Sequence, residues 1–472
     1  MKTTVVTVER MAPEGQALGR STERAGTPAH GGPAAGKVVF VPYGVPGDRL
    51  EAEIETAKQG YATARLTRVL EPGPGRIEAR CPYHFRPGRK TPWCGGCDWQ
   101  QLSGPAQLEA KRAIVLDCLR RIGRLPEAPV APVIPSPDDW RYRNKVQVPF
   151  AAHDGRIAAG FYAPASHRIV DFDDCLVQPE LSVRIVLKVK ELAARLRWQV
   201  YDERAGRGWL RHLLVRVTRE GKAQATLVTR TPELPQAAAY LSEMRSSFPE
   251  LTGLFQNLQP EQTSVILGPR WRKLWGEDAL KEKVGRLRLS ASPGAFLQVN
   301  TPASEKLYEQ VAAQLGAGGF RPDLAVDLYC GVGAIALWIA PSARRVLGVE
   351  ESREAVADAW ENARANGVTN ARFIAGRAET ILGRLRDELS DKADGSAAAV
   401  LDPPRAGVAP AVLKTLCAPA ISRIVYVSCN PATFARDAGM LTRHGFALRD
   451  VRPVDLFPQT SHVELSARFD RT

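Results

Sequence analysis

Three apolar runs in the last third of the chain each end in polar or glycine-rich residues. They are Val326-Asp327-Leu328-Tyr329-Cys330-Gly331-Val332-Gly333, Ala399-Val400-Leu401-Asp402-Pro403-Pro404-Arg405 and Arg423-Ile424-Val425-Tyr426-Val427-Ser428-Cys429-Asn430-Pro431. Strand-like runs begin near Ala325, Arg345, Arg372, Ala398, Arg423, Ala447 and His462, with helical stretches such as Glu354 to Ala365 and Ala409 to Cys417 between the first six. Such alternation predicts an α/β fold with a mainly parallel sheet. Only a turn near Phe457-Pro458-Gln459 parts the last two strands, so these should pair antiparallel. Ligands of a doubly wound sheet bind at the carboxyl ends of its strands. A glycine turn, a carboxylate and a thiol would therefore meet at one edge.

The 472 residues are enough for two to four domains. Residues 1–70 read as a small β-barrel of the oligonucleotide-binding type, with strands at Lys37 to Val41, around Leu50 to Ile54 and at Tyr61 to Leu70. An Src-homology-like barrel fits the same pattern. Arg20 to Gly36 reads as a Gly/Pro/Ala-rich loop, and Glu71-Pro72-Gly73-Pro74-Gly75 as a linker. Residues 71–289 form a β-rich central region with helices expected at Gln107 to Ile122 and Leu181 to Leu196; Cys118 falls on the apolar stripe of the first. Residues 290–472 are the α/β domain. Lys and Arg number 64 against 51 Asp and Glu, a formal charge of +13 that points to a polyanion, foremost nucleic acid. Arg141-Tyr142-Arg143-Asn144-Lys145 suits a phosphate backbone. No apolar run reaches membrane-spanning length and the N-terminus has no signal-peptide pattern, so a cytoplasmic monomer is expected.

The turn holding Gly331 and Gly333 follows a strand and opens a helix, so its backbone can approach a ligand closely. Glu350, ending the next strand, can bond both hydroxyls of a ribose. A third glycine at the dinucleotide spacing is lacking, which favours S-adenosylmethionine over NAD. Asp402-Pro403-Pro404-Arg405 is like the Asp-Pro-Pro-Tyr loops of enzymes that methylate exocyclic amines, but those need no cysteine. Uracil would account for Cys429. Its C5 is too electron-poor to take a sulfonium methyl until a thiolate adds at C6. A helix beginning at Pro431 should lower the Cys429 pKa. A base must then remove the C5 proton; Glu464 is the candidate, with His462 second. Cys81, Cys94, Cys97 and Cys175 offer four thiolates, which by count fit a structural zinc or an iron–sulfur cluster.

With these residues in view, the chain resembles the RNA 5-methyluridine methyltransferases, and among them the bacterial 23S ribosomal RNA type with a TRAM domain and a [4Fe–4S] cluster. The resemblance spans nearly the whole length. It is carried by Cys94-Gly95-Gly96-Cys97 with Gln100, Phe296-Leu297-Gln298-Val299-Asn300, Asp327 to Gly333, Asp402 to Arg405, and Val427-Ser428-Cys429-Asn430-Pro431-Ala432-Thr433. It implies a TRAM barrel, a central iron–sulfur β domain and a class I (Rossmann-like) methyltransferase domain. It further implies Cys429 as nucleophile, Glu464 as proton acceptor, and Cys81, Cys94, Cys97 and Cys175 as cluster ligands in preference to zinc. Gln298, Tyr329, Gly331, Gly333, Glu350 and Asp402 would contact S-adenosylmethionine. The implied activity is C5 methylation of a uridine in 23S ribosomal RNA. Alternatives are the same chemistry on transfer RNA, an amino-methyltransferase, and a non-catalytic RNA-binding assembly factor. Two departures stand out: Ala334 where relatives often carry asparagine, and long spacings between Cys81 and Cys94 and from Arg20 to Gly36.

Overall fold

A computed structural model describes residues 2–22, 36–89, 91–153, 155–383 and 397–472. Most of the loop expected at Arg20 to Gly36 lies outside the described residues. Strands β1 (Thr3–Met11), β2 (Ala17–Ser21), β3 (Val38–Val41), β4 (Arg49–Ala57) and β5 (Tyr61–Glu71) close into a barrel in the order β1-β2-β3-β5-β4. Period-two alternation explains the closure. Val6, Val8, Val39, Val41, Leu50, Ala52, Ala64 and Leu66 fill the interior. The residues between them face outward and pair across strands, as Arg68 does with Glu51 at 3.0 Å.

Helix α1 (Gly104–Cys118) begins three residues before the sequence suggests, because Gly104-Pro105 supplies a proline suited to a first turn. It runs on through one wide turn, Leu119–Gly123, and stops at Arg124 with φ of +57°. The central sheet has the order β12-β11-β10-β9-β6-β7-β8. Its strands are β6 (Lys145–His153), β7 (Arg156–Tyr162), β8 (Ile169–Asp171), β9 (Leu210–Val217), β10 (Ala223–Thr229), β11 (Leu251–Leu258) and β12 (Arg270–Gly276). One face carries Val146, Val148, Leu213, Val215, Ala225 and Leu227, packed under α2 (Glu180–Arg195) and α3 (Ala237–Ser247). Register puts Lys145, Gln147, His212, Arg216, Gln224 and Thr226 together on the other face. That polar face turns toward the C-terminal body.

The C-terminal body opens with a hairpin, β13 (Leu280–Val284) and β14 (Leu287–Ala291), followed by α4 (Thr301–Gly316). Val284, Leu287, Leu289 and Ala291 pack with Trp338 and Ala363, so the α/β core includes residues ahead of 290. Next come β15 (Leu324–Leu328), α5 (Ala334–Ile339), β16 (Arg345–Glu350), α6 (Arg353–Ala365), β17 (Ala371–Ala375) and β18 (Ala397–Leu401). Then follow α7 (Pro410–Leu416), β19 (Ile421–Ser428), α8 (Pro431–Arg443), β20 (Phe446–Val454) and β21 (Glu464–Arg471). The sheet order is β17-β16-β15-β18-β19-β21-β20, with β21 antiparallel to both neighbours. This is the methyltransferase fold. Strand order reverses between β15 and β18, which opens the ligand crevice at their carboxyl ends. The last strand starts at Glu464, two residues after the start expected near His462. Helix α1 packs against β1, α8 and β20, burying Ile114, Val115, Cys118 and Leu119, and so joins the barrel to the α/β body. Among the described residues no helix is long and apolar enough to cross a membrane.

Candidate active site

Between β15 and α5 the chain turns through three left-handed residues, Tyr329 (φ +66°), Gly331 (+54°) and Gly333 (+82°). A Cβ at Gly333 would sit 3.0 Å from the Phe373 ring, so both conformation and space call for glycine there. The Glu350 carboxylate accepts from Gly331 N–H at 3.1 Å and Ser352 N–H at 2.9 Å, fixing it beside the turn. Gly331, Glu350, Ser352, Gly294, Phe296 and Trp271 line a cavity of about 250 Å³. Trp271 is a residue that the motif reading missed. It comes from β12 of the central sheet and lies against Gly294, where a Cβ would meet its ring at 2.9 Å. The one available signal was an aromatic inside the charged run Arg270-Trp271-Arg272-Lys273. Gln298 is buried on the neighbouring segment, its carbonyl accepting from Asn144 Nδ2 at 3.0 Å. Burial pushes the Tyr329 hydroxyl up to about 12, so it stays neutral.

Cys429 follows β19, and Asn430 caps α8 by accepting from Ala432 N–H at 3.0 Å. Asn430 Nδ2 and Thr433 Oγ1 both donate to the Arg405 carbonyl, at 3.1 and 3.2 Å, locking the Asp402–Arg405 loop to the cysteine loop. Burial pushes the Cys429 thiol up to about 11, helped by the charges of Glu464 and Asp402, while Arg405 pulls it down. The expected lowering by the helix is therefore overturned. Cys429 precedes the cap residue and so lies outside the first turn, where the helix field is strongest. Burial also raises Asp402 to about 7. Glu464 is buried and held well above the usual carboxylate range by burial and then by Asp402, against Arg405. Thiol and carboxylates thus feel one another's charge and resist ionising together. Asp327, fully buried, is also held well above its usual range by burial and then by Asp402. His462 Nδ1 lies 3.5 Å from Arg405 Nη2. Burial, Arg405, Lys111 and Arg143 lower its pKa to about 4, so it is neutral at pH 7 and takes a proton poorly.

A second cavity, of about 530 Å³, reaches from the four cysteines to Phe296, Thr460 and His462. Cys81, Cys94, Cys97 and Cys175 all line it, and all four are free thiols. Burial raises each of them, Cys94 to about 12, and the charge of Cys81 adds to the rise at Cys94, Cys97 and Cys175. Gly96 N–H donates to Cys94 Sγ at 3.3 Å. Among the described residues no three His, Cys, Asp or Glu side chains stand close enough to hold a single metal ion. Arg143 and Lys145 face the same cavity, and burial brings Lys145 down to about 7. The remaining side chains of the basic segment serve the fold. Arg141 pairs with Asp174 at 2.8 Å, Tyr142 donates to the Pro458 carbonyl at 2.9 Å, and Asn144 donates to Thr301 Oγ1 at 2.9 Å.

Comparison with known proteins bears on this geometry. Residues 277–471 match the family described as tRNA (Uracil-5-)-methyltransferase, and residues 2–67 match the TRAM domain. An uncharacterized RNA methyltransferase of Halalkalibacterium halodurans is 39% identical over 430 residues, 91% of each chain. Another, from Gloeobacter violaceus, is 36% identical over 473 residues, covering 100% of this chain and 97% of that one. Among solved structures, the Pyrococcus abyssi tRNA (uracil-54, C5)-methyltransferase in complex with S-adenosyl-L-homocysteine superposes with a TM-score of 0.72. It is 25% identical, and the match covers 98% of this chain and 100% of that one. The amino-methyltransferase and assembly-factor readings fall away, and the chain belongs to the S-adenosylmethionine-dependent RNA (uracil-5)-methyltransferase family.

Proposed function

We propose that the enzyme methylates C5 of a uridine in 23S ribosomal RNA through transient addition of Cys429 to C6 of a base flipped out of its stack. One observation carries the covalent part: Cys429, Asp402, Arg405 and Glu464, contributed by three different strand ends, act on one another's charge beside the glycine turn. Gln298, Tyr329, Gly331, Gly333, Glu350 and Asp402 would hold S-adenosylmethionine, which would supply an electrophilic methyl group. Arg405 favours the Cys429 thiolate. The Sγ–C6 bond forms as the C5=C6 electron pair shifts toward O4, and the enolate carbon C5 then takes the methyl as the sulfonium S–CH3 bond breaks, its electron pair staying on sulfur to leave S-adenosylhomocysteine. Glu464 accepts the C5 proton, the C5–H electrons restore C5=C6, and the Sγ–C6 bond breaks to release the thiolate. A carboxylate whose affinity for protons is raised by burial suits this step better than His462. Cys429→Ala should abolish methyl transfer and RNA adducts with cofactor binding retained, whereas Glu464→Gln should accumulate a covalent protein–RNA complex. Methylation by Cys429→Ala would refute the mechanism.

The four thiols would hold a [4Fe–4S] cluster tying residues 81–97 to 175. By count the four thiols, all lining the cavity of about 530 Å³, fit zinc or a cluster alike, and the cluster is what the family resemblance implies. Iron and sulfide in about fourfold excess over the chain would support it, and one zinc in their place would refute it. Transfer RNA is the second reading, favoured by the named substrate of the Pyrococcus enzyme. Position-resolved nucleoside analysis of both RNA classes from a strain lacking the gene decides: loss of 5-methyluridine from 23S ribosomal RNA is expected, and loss from transfer RNA alone would overturn it.

A further inference from the structure

The loop leading into Glu464 is gripped from outside the α/β body. Residues 455–463 join β20 to β21, and Glu464 is the first residue of β21, paired with Val454. Within the loop, Gln459 has φ of +70°. A side-chain-bearing residue keeps such a conformation only where its surroundings enforce it, and such strain collects at functional sites. The enforcing contacts come largely from one stretch, residues 98–111, which starts next to Cys97.

Gln107 takes both ends of Gln459. Its Oε1 accepts from Gln459 N–H at 2.8 Å, and its Nε2 donates to Gln459 Oε1 at 3.1 Å. Trp99 N–H donates to the Gln459 carbonyl at 3.0 Å. Asp98 Oδ1 accepts from Ser461 N–H at 2.9 Å. Lys111, wholly buried, donates to Asp455 Oδ1 at 2.6 Å and to the Phe457 carbonyl at 3.0 Å. The barrel backs this stretch: Trp99 Nε1 donates to the Gly15 carbonyl at 3.0 Å, and a Cβ at Gly15 would collide with Asp98 Oδ2 and press on Ser461 Oγ. A buried ammonium is an expensive way to hold a loop. Here it is spent on Asp455 and Phe457, at the start of the mostly buried loop that runs into Glu464.

We propose that residues 98–111 form a positioning clamp for proton removal, with Gln107 and Lys111 as positioning residues acting through the 455–463 loop. The proposal rests on the reading of Glu464 as proton acceptor. Displacing Glu464 should slow release of the covalent intermediate more than its formation, which a purely structural role would not do.

The test uses full-length wild type, Gln107→Ala, Lys111→Met and Glu464→Gln. The probe is total RNA from a strain lacking the gene, with S-adenosylmethionine tritiated in the methyl group. Gln107→Ala should lose kcat on the order of 10²-fold, the scale of a misplaced catalytic group, with KM for the RNA little changed. A denaturant-stable, tritium-bearing protein–RNA complex should accumulate, as in Glu464→Gln. Lys111→Met should do the same where it folds; Gln107→Ala leaves no buried charge behind and decides the matter alone. Trapping by Glu464→Gln without trapping by Gln107→Ala, or a kcat loss that merely follows a lowered Tm, overturns the clamp. No complex with Glu464→Gln overturns the base assignment and the clamp with it.

Discussion

Cys429 carries a thiol that its surroundings pull in opposite directions. Burial, Glu464 and Asp402 hold the proton on, and Arg405 draws it off, leaving the thiol at about 11. The sign follows: at neutral pH little thiolate is present, and reactivity should climb as pH rises toward that value. Timed iodoacetamide pulses, read by mass spectrometry of the peptide containing Cys429, should show this climb. The midpoint should fall in Glu464→Gln and Asp402→Asn and rise in Arg405→Ala; shifts of the opposite sign would contradict the account. Cys429, Glu464, Asp402 and Glu350 stand out in the sequence as candidates because each terminates an apolar run or stands as a lone carboxylate in one. The direction of the thiol's shift is not legible, because it depends on carboxylates brought up by other strands. Nor is the pairing of Gln107 with Gln459, which lie 352 positions apart.

The helix cap at Asn430 does two jobs, starting α8 and holding the Arg405 loop. Asn430→Ala should cost about 1 kcal/mol of stability, the usual worth of a cap, and lose more activity than that stability change explains. Chemical denaturation beside turnover measures both. The glycine turn offers a contrast. Gly331→Ala meets only the left-handed backbone penalty of about 1–2 kcal/mol, since nothing lies near its added carbon. Gly333→Ala also presses on Phe373 and should weaken S-adenosylmethionine binding further, as calorimetry would show. Strand and helix positions follow periodicity to within a few residues. Strand β21 starts two residues later than expected, after a loop whose Gln459 backbone bonds to Gln107 and Trp99.

Across the whole molecule, a sheet with one polar face and a methyltransferase fold line the two cavities, and helix α1 joins the closed barrel to the α/β body. The formal charge of +13 makes RNA affinity salt-dependent. Lys145, on the cavity wall and without an acidic partner among the described ion pairs, should contribute one phosphate contact. Because Lys145 sits at about 7, the test belongs at about pH 6, where it is charged. Lys145→Ala should weaken RNA binding there and reduce the slope of log affinity against log salt by about 1; an unchanged slope would remove Lys145 from the interface. Composition announces a polyanion, but the positions of the contacts depend on sheet register, which decides that Lys145, Gln147 and His212 share a face. Trp271 reaching the cavity beside the glycine turn from the central sheet is likewise a product of tertiary packing.

The central claim is a covalent bond between one sulfur and one pyrimidine carbon. Mass spectrometry of digested Glu464→Gln protein, after incubation with S-adenosylmethionine and RNA from a strain lacking the gene, tests it most directly. The account predicts a peptide containing Cys429 that carries a methylated, ring-saturated uridine. Methylated RNA with no such peptide, or the adduct on another residue, would contradict it.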